Sequence, residues 1–126
     1  MHKSRLGTLV IDCHSEDLDA DTGFWARVFG CEVERRDKPG DDAYRALATP
    51  DSDPKLLVQR VSHASRVHLD IETDDIEAEV QRLEKLGAVR LERVRSWWVM
   101  QAPSGHRFCV VNPQRPDFED HANRWS

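Results

Sequence analysis

The sequence predicts an α+β fold made of two copies of a strand-helix-strand-strand-strand module. Two observations carry that reading. The first is the stretch 66–87, RVHLDIETDDIEAEVQRLEKLG, which reads as a strand, a capped amphipathic helix and a glycine stop. The second is a repeat of about 57 residues. Ile11-Asp12 precedes one helix as Leu69-Asp70 precedes the other, and FGCEV at 29–33 echoes LGAV at 86–89. Ala48-Thr49-Pro50 before KLLVQRV echoes Ala102-Pro103 before HRFCVV. That period is too long for a solenoid unit and occurs only twice. Two halves that cannot each bury a sheet face imply one pseudo-twofold domain over 1–126, with modules at about 6–61 and 66–112 and a tail at 113–126.

The central stretch is the best defined. Val67, Leu69 and Ile71 alternate with Arg66, His68 and Asp70, the period-2 pattern of a strand with unlike faces. Asp74 with Glu77 three residues later fits a capping box, with Thr73 as the other candidate cap. Ile76, Val80 and Leu83 share one helical face, with Glu77, Glu79, Gln81, Arg82, Glu84 and Lys85 elsewhere. Gly87 stands where a C′ glycine ends a helix. The apolar strand face should meet the helix stripe, which leaves His68 on the opposite face.

In chain order, residues 6–13 read as a strand. The helix that follows has three candidate caps, Ser15, Asp17 and Asp19, in an acidic first turn that suits the helix dipole. Phe24, Trp25, Val28 and Phe29 form its expected buried stripe and Gly30 its stop. Gly23 weakens its interior by roughly 1 kcal/mol relative to Ala. A short strand at 31–36 leads to a turn at 38–42. Strands follow at 43–48 and 55–61, separated by a proline-bounded loop at 50–54. After the second helix come strands at 88–94, 96–101 and 106–111. The polar tail from Asp117 is either frayed or docked through Phe118 and Trp125.

Composition excludes several classes. The 126 residues carry 18 Lys+Arg against 23 Asp+Glu, a net charge of −5, with no basic footprint for nucleic acid. No apolar run approaches the roughly 20 residues that span a membrane. The basic start MHKSRLGTLV lacks a signal peptide's hydrophobic region and cleavage site. Cys13, Cys31 and Cys109 form no CxxC pair and read as free thiols of a cytoplasmic protein. There is no phosphate loop, nucleophile elbow or HExxH. The acidic alternation Asp17, Asp19, Asp21 lacks the glycine and terminal glutamate of a calcium loop.

DCHSEDLDADTGFWARVFGCEVE, RVHLDIETDDIEAEVQRLEKLGA and WWVMQAPSGHRFCVVNP together resemble the vicinal oxygen chelate superfamily, which includes glyoxalase I, bleomycin-resistance proteins and extradiol dioxygenases. Within it, the chain is similar to the bacterial glyoxalase-like domain group, over roughly residues 6–113. The resemblance implies an open, cup-shaped mixed sheet with helices packed outside, and a homodimer. It also implies metal ligands on the first and fourth strands of each half. Those positions fall at Gly7, Gln59, His68 and Cys109, where glyoxalase I has a histidine, a glutamate, a histidine and a glutamate. Only His68 is kept in kind. A hard divalent ion needs anionic oxygens and imidazoles, which this set does not supply, and a His68/Cys109 pair falls short of the three or four protein ligands of a zinc site. The turn at 102–107, Ala-Pro-Ser-Gly-His-Arg, also departs from the group's Asp-Pro-x-Gly-Asn-Glu.

The expected function is therefore binding of a small organic molecule in the cup without the usual metal, akin to the bleomycin-resistance branch. Its expected lining is Gln59, His68, Cys109, Tyr44 and one of Trp97 and Trp98, which must point to opposite faces of their strand. The rival is a superfamily enzyme, a lyase, isomerase or dioxygenase, with a non-standard metal set or with His68 as acid/base. Asp70 would share the strand face of His68. Cys109 reads as a poor nucleophile, since the apolar neighbours Phe108 and Val110 would raise its pKa. An interaction module with a filled cup is a third reading.

Overall fold

A computed structural model describes residues 1–34 and 43–126 of the chain. The end of the strand expected at 31–36 and the turn expected at 38–42 lie outside the described residues. The chain forms two compact units, one of residues 9–67 and one of residues 1–8 with 68–126. The first strand, β1 (His2–Cys13), contributes its opening residues to the latter and its closing residues to the former.

In the 9–67 unit, β1 is followed by α1 (Leu18–Phe29), β2 (Tyr44–Leu47) and β3 (Lys55–Arg60). β2 and β3 pair antiparallel, with Tyr44 opposite Gln59 and Leu47 opposite Leu56. The Val61 amide donates to the Cys13 carbonyl at 3.0 Å, and Val33 makes an isolated bridge to Leu47. Asp17 is the cap of α1, its carboxylate accepting from the Ala20 amide at 3.0 Å. Gly30 ends the helix at φ +69°, in the left-handed region that glycine enters freely.

The buried face of α1 differs from the expected stripe. Leu18, Thr22 and Ala26 are buried and Trp25 is half-buried, whereas Phe24 and Val28 are each 52% exposed and Phe29 is 47% exposed. Leu18, Thr22, Trp25 and Ala26 recur at helical spacing, and the core of Ile11, Cys13, Leu47 and Val58 takes that face. The Thr22 hydroxyl donates to the Leu18 carbonyl at 2.6 Å, so its burial leaves no polar group unmet. Phe24 and Val28 lie one turn apart on another side. The core of this unit is Ile11, Cys13, Leu18, Ala26, Leu47 and Val58, with Trp25, Cys31 and Leu56 against it.

In the other unit, β4 (Arg66–Thr73) leads into α2 (Ile76–Lys85), β5 (Val89–Val94), β6 (Trp97–Gln101) and β7 (Arg107–Val111). β5, β6 and β7 pair antiparallel, with an irregularity between Arg90 and Glu92. β7 pairs parallel with β4, which makes the ladder mixed, and the ladder is open. Its core is Val80, Met100 and Val110, with Ile76, Leu83, Ala88, Trp98 and Phe108 packed around. The expected stripe of α2 is thus the observed one, and Gly87 follows the helix at φ +107°.

Three details of this unit correct the sequence reading. The cap of α2 is Asp75, whose carboxylate accepts from the Ala78 amide at 3.0 Å. Asp74 instead accepts from the Lys3 amide at 2.8 Å, and Glu77 pairs with Arg90 instead of closing a capping box. Glu79 is fully buried, because His2 and Arg82 both reach its carboxylate at 2.8 Å. The helix packs on β5, β6 and β7 and leaves Val67 and Leu69 of β4 exposed, so the apolar face of β4 meets it only in part.

The tail is docked. It forms α3 (Phe118–His121) and β8 (Asn123–Trp125), and β8 pairs antiparallel with the start of β1, His2 opposite Trp125. Phe118 is buried, the Trp125 indole donates to the Ser4 hydroxyl at 2.8 Å, and the Arg82 guanidinium lies 3.8 Å from the Trp125 ring centre. This pairing extends β1 four residues ahead of the expected start at residue 6.

Candidate functional site

Strand parity sorts the site residues. Met100, Val110, Phe108 and Trp98 face α2. Their neighbours therefore face the other way. On that other face Asp70 stands beside Cys109 across the parallel β4–β7 pair, and Cys109 stands opposite Val99 of β6. His68, two residues before Asp70, joins them. The ligand-type atoms of His68, Asp70 and Cys109 all lie within 4.8 Å of one another, and all three residues are half-buried. Nε2 of His68 is 3.4 Å from Oδ1 of Asp70, with both side chains 17% exposed. That oxygen is buried, and among the described residues the His68 imidazole is its neighbour, with no hydrogen bond to it.

The two tryptophans separate as well. Trp98 packs in the α2 core with Arg90 5.2 Å from its ring centre. Trp97 lies on the face of His68 and Cys109, two residues along β6 from Val99. The expected environment of Cys109 changes with it. Phe108 and Val110 point to α2, so the thiol shares its face with the His68 imidazole and the Asp70 carboxylate, both within 4.8 Å.

Gln59 and Tyr44 are direct neighbours across β2 and β3, on the strand face opposite Val58 of the core. Tyr44 is 44% exposed. Sequence reading named both without joining them. His14 shows no motif in the sequence. In the structure His14, Ser15, Glu16, Arg60, Val61 and Ser62 line a broad, solvent-open depression of about 620 Å³. It brings together chain ends of β1 and β3, which no local pattern signals.

The four-ligand set implied by the superfamily does not fit this chain. Gly7 has no donor atom, and the carbons of Glu72 occupy the space its side chain would need: a Cβ there would lie 2.9 Å from Cγ of Glu72. Glu72 itself is buried and committed to Arg5 at 2.7 Å, Arg115 at 3.2 Å and the Gln114 amide at 2.6 Å. Gln59 is a neutral amide. What remains on one face is His68 and Cys109, now with Asp70.

Comparison with known proteins identifies the fold. A methylmalonyl-CoA epimerase from Mycobacterium tuberculosis superposes with a TM-score of 0.60 at 16% identity, covering 92% of this chain and 91% of that one. A Streptomyces coelicolor methylmalonyl-CoA epimerase variant in complex with 2-nitronate-propionyl-CoA gives 0.57 at 19% identity, covering 87% and 98%. A hypothetical protein from Bacillus halodurans gives 0.61 at 10% identity, covering 89% and 96%. These likenesses show the fold. No curated protein matches the chain in sequence. Among the described residues no helix is long and apolar enough to cross a membrane. The model of the glyoxalase-like domain matches residues 8–111, and with the strand and helix order above this makes the chain a member of the glyoxalase-like domain family of the vicinal oxygen chelate superfamily.

Proposed function

We propose that the protein binds a small organic molecule on the strand face that carries His68, Asp70, Cys109 and Trp97. The observation that supports this most is the convergence of three polar groups, half-buried, on a face turned away from the helix core. Few convergent polar groups beside an aromatic surface are what a small-molecule site needs. Trp97 would take the flat part of a ligand and His68 with Asp70 its polar end. Gln59 and Tyr44 are a second pair proposed to touch ligand. Homodimerisation belongs to the same reading and is tested by sedimentation. Among the described residues no disulfide joins Cys13, Cys31 and Cys109, which suits the reducing compartment this reading expects.

A thermal-shift screen of aromatic acids, aromatic amides and acyl-CoA thioesters tests the proposal. A ligand at 100 times its Kd stabilises by about 2.7 kcal/mol. That shift should fall away in Trp97→Ala and His68→Ala. A shift untouched by either variant, or no shift across the screen, would overturn it.

One observation favours a second reading, an enzyme. Asp70 stands 3.4 Å from the His68 imidazole, where it can orient the ring and stabilise its protonated form for acid/base work. An isomerase would exchange solvent deuterium into a bound ligand, and His68→Gln would abolish that exchange while binding persisted.

A further inference from the structure

We infer that the ligand of this strand face is an elongated, flat carboxylic acid bound as its anion, and that Arg107 is the residue that selects its charge. This rests on the proposed small-molecule binding and adds to it the sign of the ligand's polar end and the side chain that reads it.

Strand register lays the face out in rows. Arg107 stands opposite Gln101 across β6 and β7, and Cys109 stands opposite Val99. The parallel pairing of Leu69 with Phe108 and of Asp70 with Cys109 puts His68 beside Arg107. Arg107 and Cys109 alternate with Phe108 and Val110, and Val99 and Gln101 with Trp98 and Met100, all of which pack in the α2 core. The alternating residues therefore share the face turned away from α2. Its end row is Gln101, Arg107 and His68. The next row is Val99, Cys109 and Asp70, and Trp97 lies beyond it.

The end row is built of donors. The Gln101 amide, the Arg107 guanidinium and the His68 imidazole can each donate a hydrogen bond. Arg5, Arg82, Arg90 and Arg115 of the same unit are each paired with a carboxylate. The Arg107 side chain, by contrast, has no hydrogen bond or ion pair among the described residues. The carboxylate of the next row, Asp70, already stands 3.4 Å from the His68 imidazole. An ammonium group in the end row would meet a like charge. A carboxylate there meets a planar fork of donors that matches it with two parallel bonds.

The apolar end sets the ligand's shape. Four residue steps of ~3.3 Å put Trp97 about 13 Å along the ladder from the Arg107 row. The long Arg107 side chain closes part of that gap, and Val99 lies between. A flat two-ring body over Val99 and Trp97 with its carboxylate at Arg107 fits the span, and a single small ring does not. Burial runs the same way. Trp97 and Val99 are half-buried, whereas Arg107 is exposed, so the ligand's charge stays at the open end, where its desolvation is small. Glu92, opposite Val99 on β5, is exposed and repels an anion turned the other way.

The test is calorimetric titration of the full-length protein with three probes that share one body: biphenylcarboxylate, biphenylcarboxamide and biphenylmethylamine. The acid should bind at least about tenfold more tightly than the amide, because a hydrogen bond to a charged group outweighs a neutral one. The amine should bind most weakly. Arg107→Gln should bring the acid down to the level of the amide and leave the amide unchanged, and added salt should weaken the acid and spare the amide. Arg124→Gln removes the same charge from β8 and should change none of the three affinities, and circular dichroism checks that each variant is folded. An amide or amine that binds as tightly as the acid, or an acid preference that survives Arg107→Gln, would overturn the assignment. If acid and amide bind equally and Trp97→Ala abolishes both, the charge assignment fails while the small-molecule site stands. No binding by any of the three overturns both.

Discussion

Gly7 and Glu72 compete for one space. A Cβ on Gly7 would lie 2.9 Å from Cγ and 3.0 Å from Cβ of Glu72, closer than carbon atoms pack. Glu72 cannot swing aside, because Arg5, Arg115 and the amides of Gln114 and Arg115 all hold its carboxylate. The position where the superfamily resemblance implies a metal-binding histidine has become the seat of a buried charge cluster.

Gly7→Ala should therefore destabilise the fold by about 1–3 kcal/mol, the usual consequence of overpacking. Glu72→Ala should be worse, by about 3–5 kcal/mol, since it strands two largely buried guanidinium groups. Urea unfolding with an unchanged slope would report both as losses of stability. A neutral Gly7→Ala would mean that Glu72 is not held where the structure places it.

Acid sensitivity should trace in part to Glu79. Burial alone would raise its carboxyl, but hydrogen bonds from Arg82, His2 and Ser4 outweigh that and hold it below its ordinary value of 4.5. A carboxyl depressed in the folded state contributes stability above its unfolded pKa and loses it as pH falls through the folded one. Unfolding free energy should hold steady from neutral pH to about 5 and then decline below about 4.5. Glu77, held down by Arg90, and Asp117, held down by Arg5, share the decline. Glu79→Gln should lower stability at neutral pH and flatten the acid slope. An unchanged slope in that variant would refute the contribution.

Removing the anchor of the tail should loosen β8. Trp125 lies under the Arg82 guanidinium and donates to Ser4. Trp125→Ala should cost about 2 kcal/mol, below the 3–5 kcal/mol of a fully buried aromatic because the ring is partly exposed. Hydrogen exchange should then speed at the amides of residues 2–4. Wild-type exchange rates in Trp125→Ala would show that the strand pairing does not depend on the indole.

Local chemistry alone determined much of this protein. Gly30 and Gly87 stop their helices because only glycine enters the left-handed region without strain. The alternation around His68 placed it on the face opposite the apolar side chains, and Ile76, Val80 and Leu83 marked the buried stripe of α2. The repeated module order led to the α+β class and the family. The strand face and the helix stripe rest on periods of two and about 3.6 residues, and the helix stops on glycine's backbone freedom, all set by neighbours in sequence.

Tertiary structure decided the rest. Glu79 reads as a solvent residue until His2, from the far end of the chain, compensates its charge. Phe24 and Val28 read as core until the strands carrying Ile11, Leu47 and Val58 take the face of Leu18 and Ala26. Trp97 and Trp98 are equivalent by pattern, and only the side on which α2 packs tells them apart. Asp70 reads as a companion of His68, whereas its place beside Cys109 follows from the parallel register of β4 and β7. Register between distant strands is chosen by the packing of whole faces, and a charge is tolerated inside only where its partners arrive, so neither can be read from a local pattern.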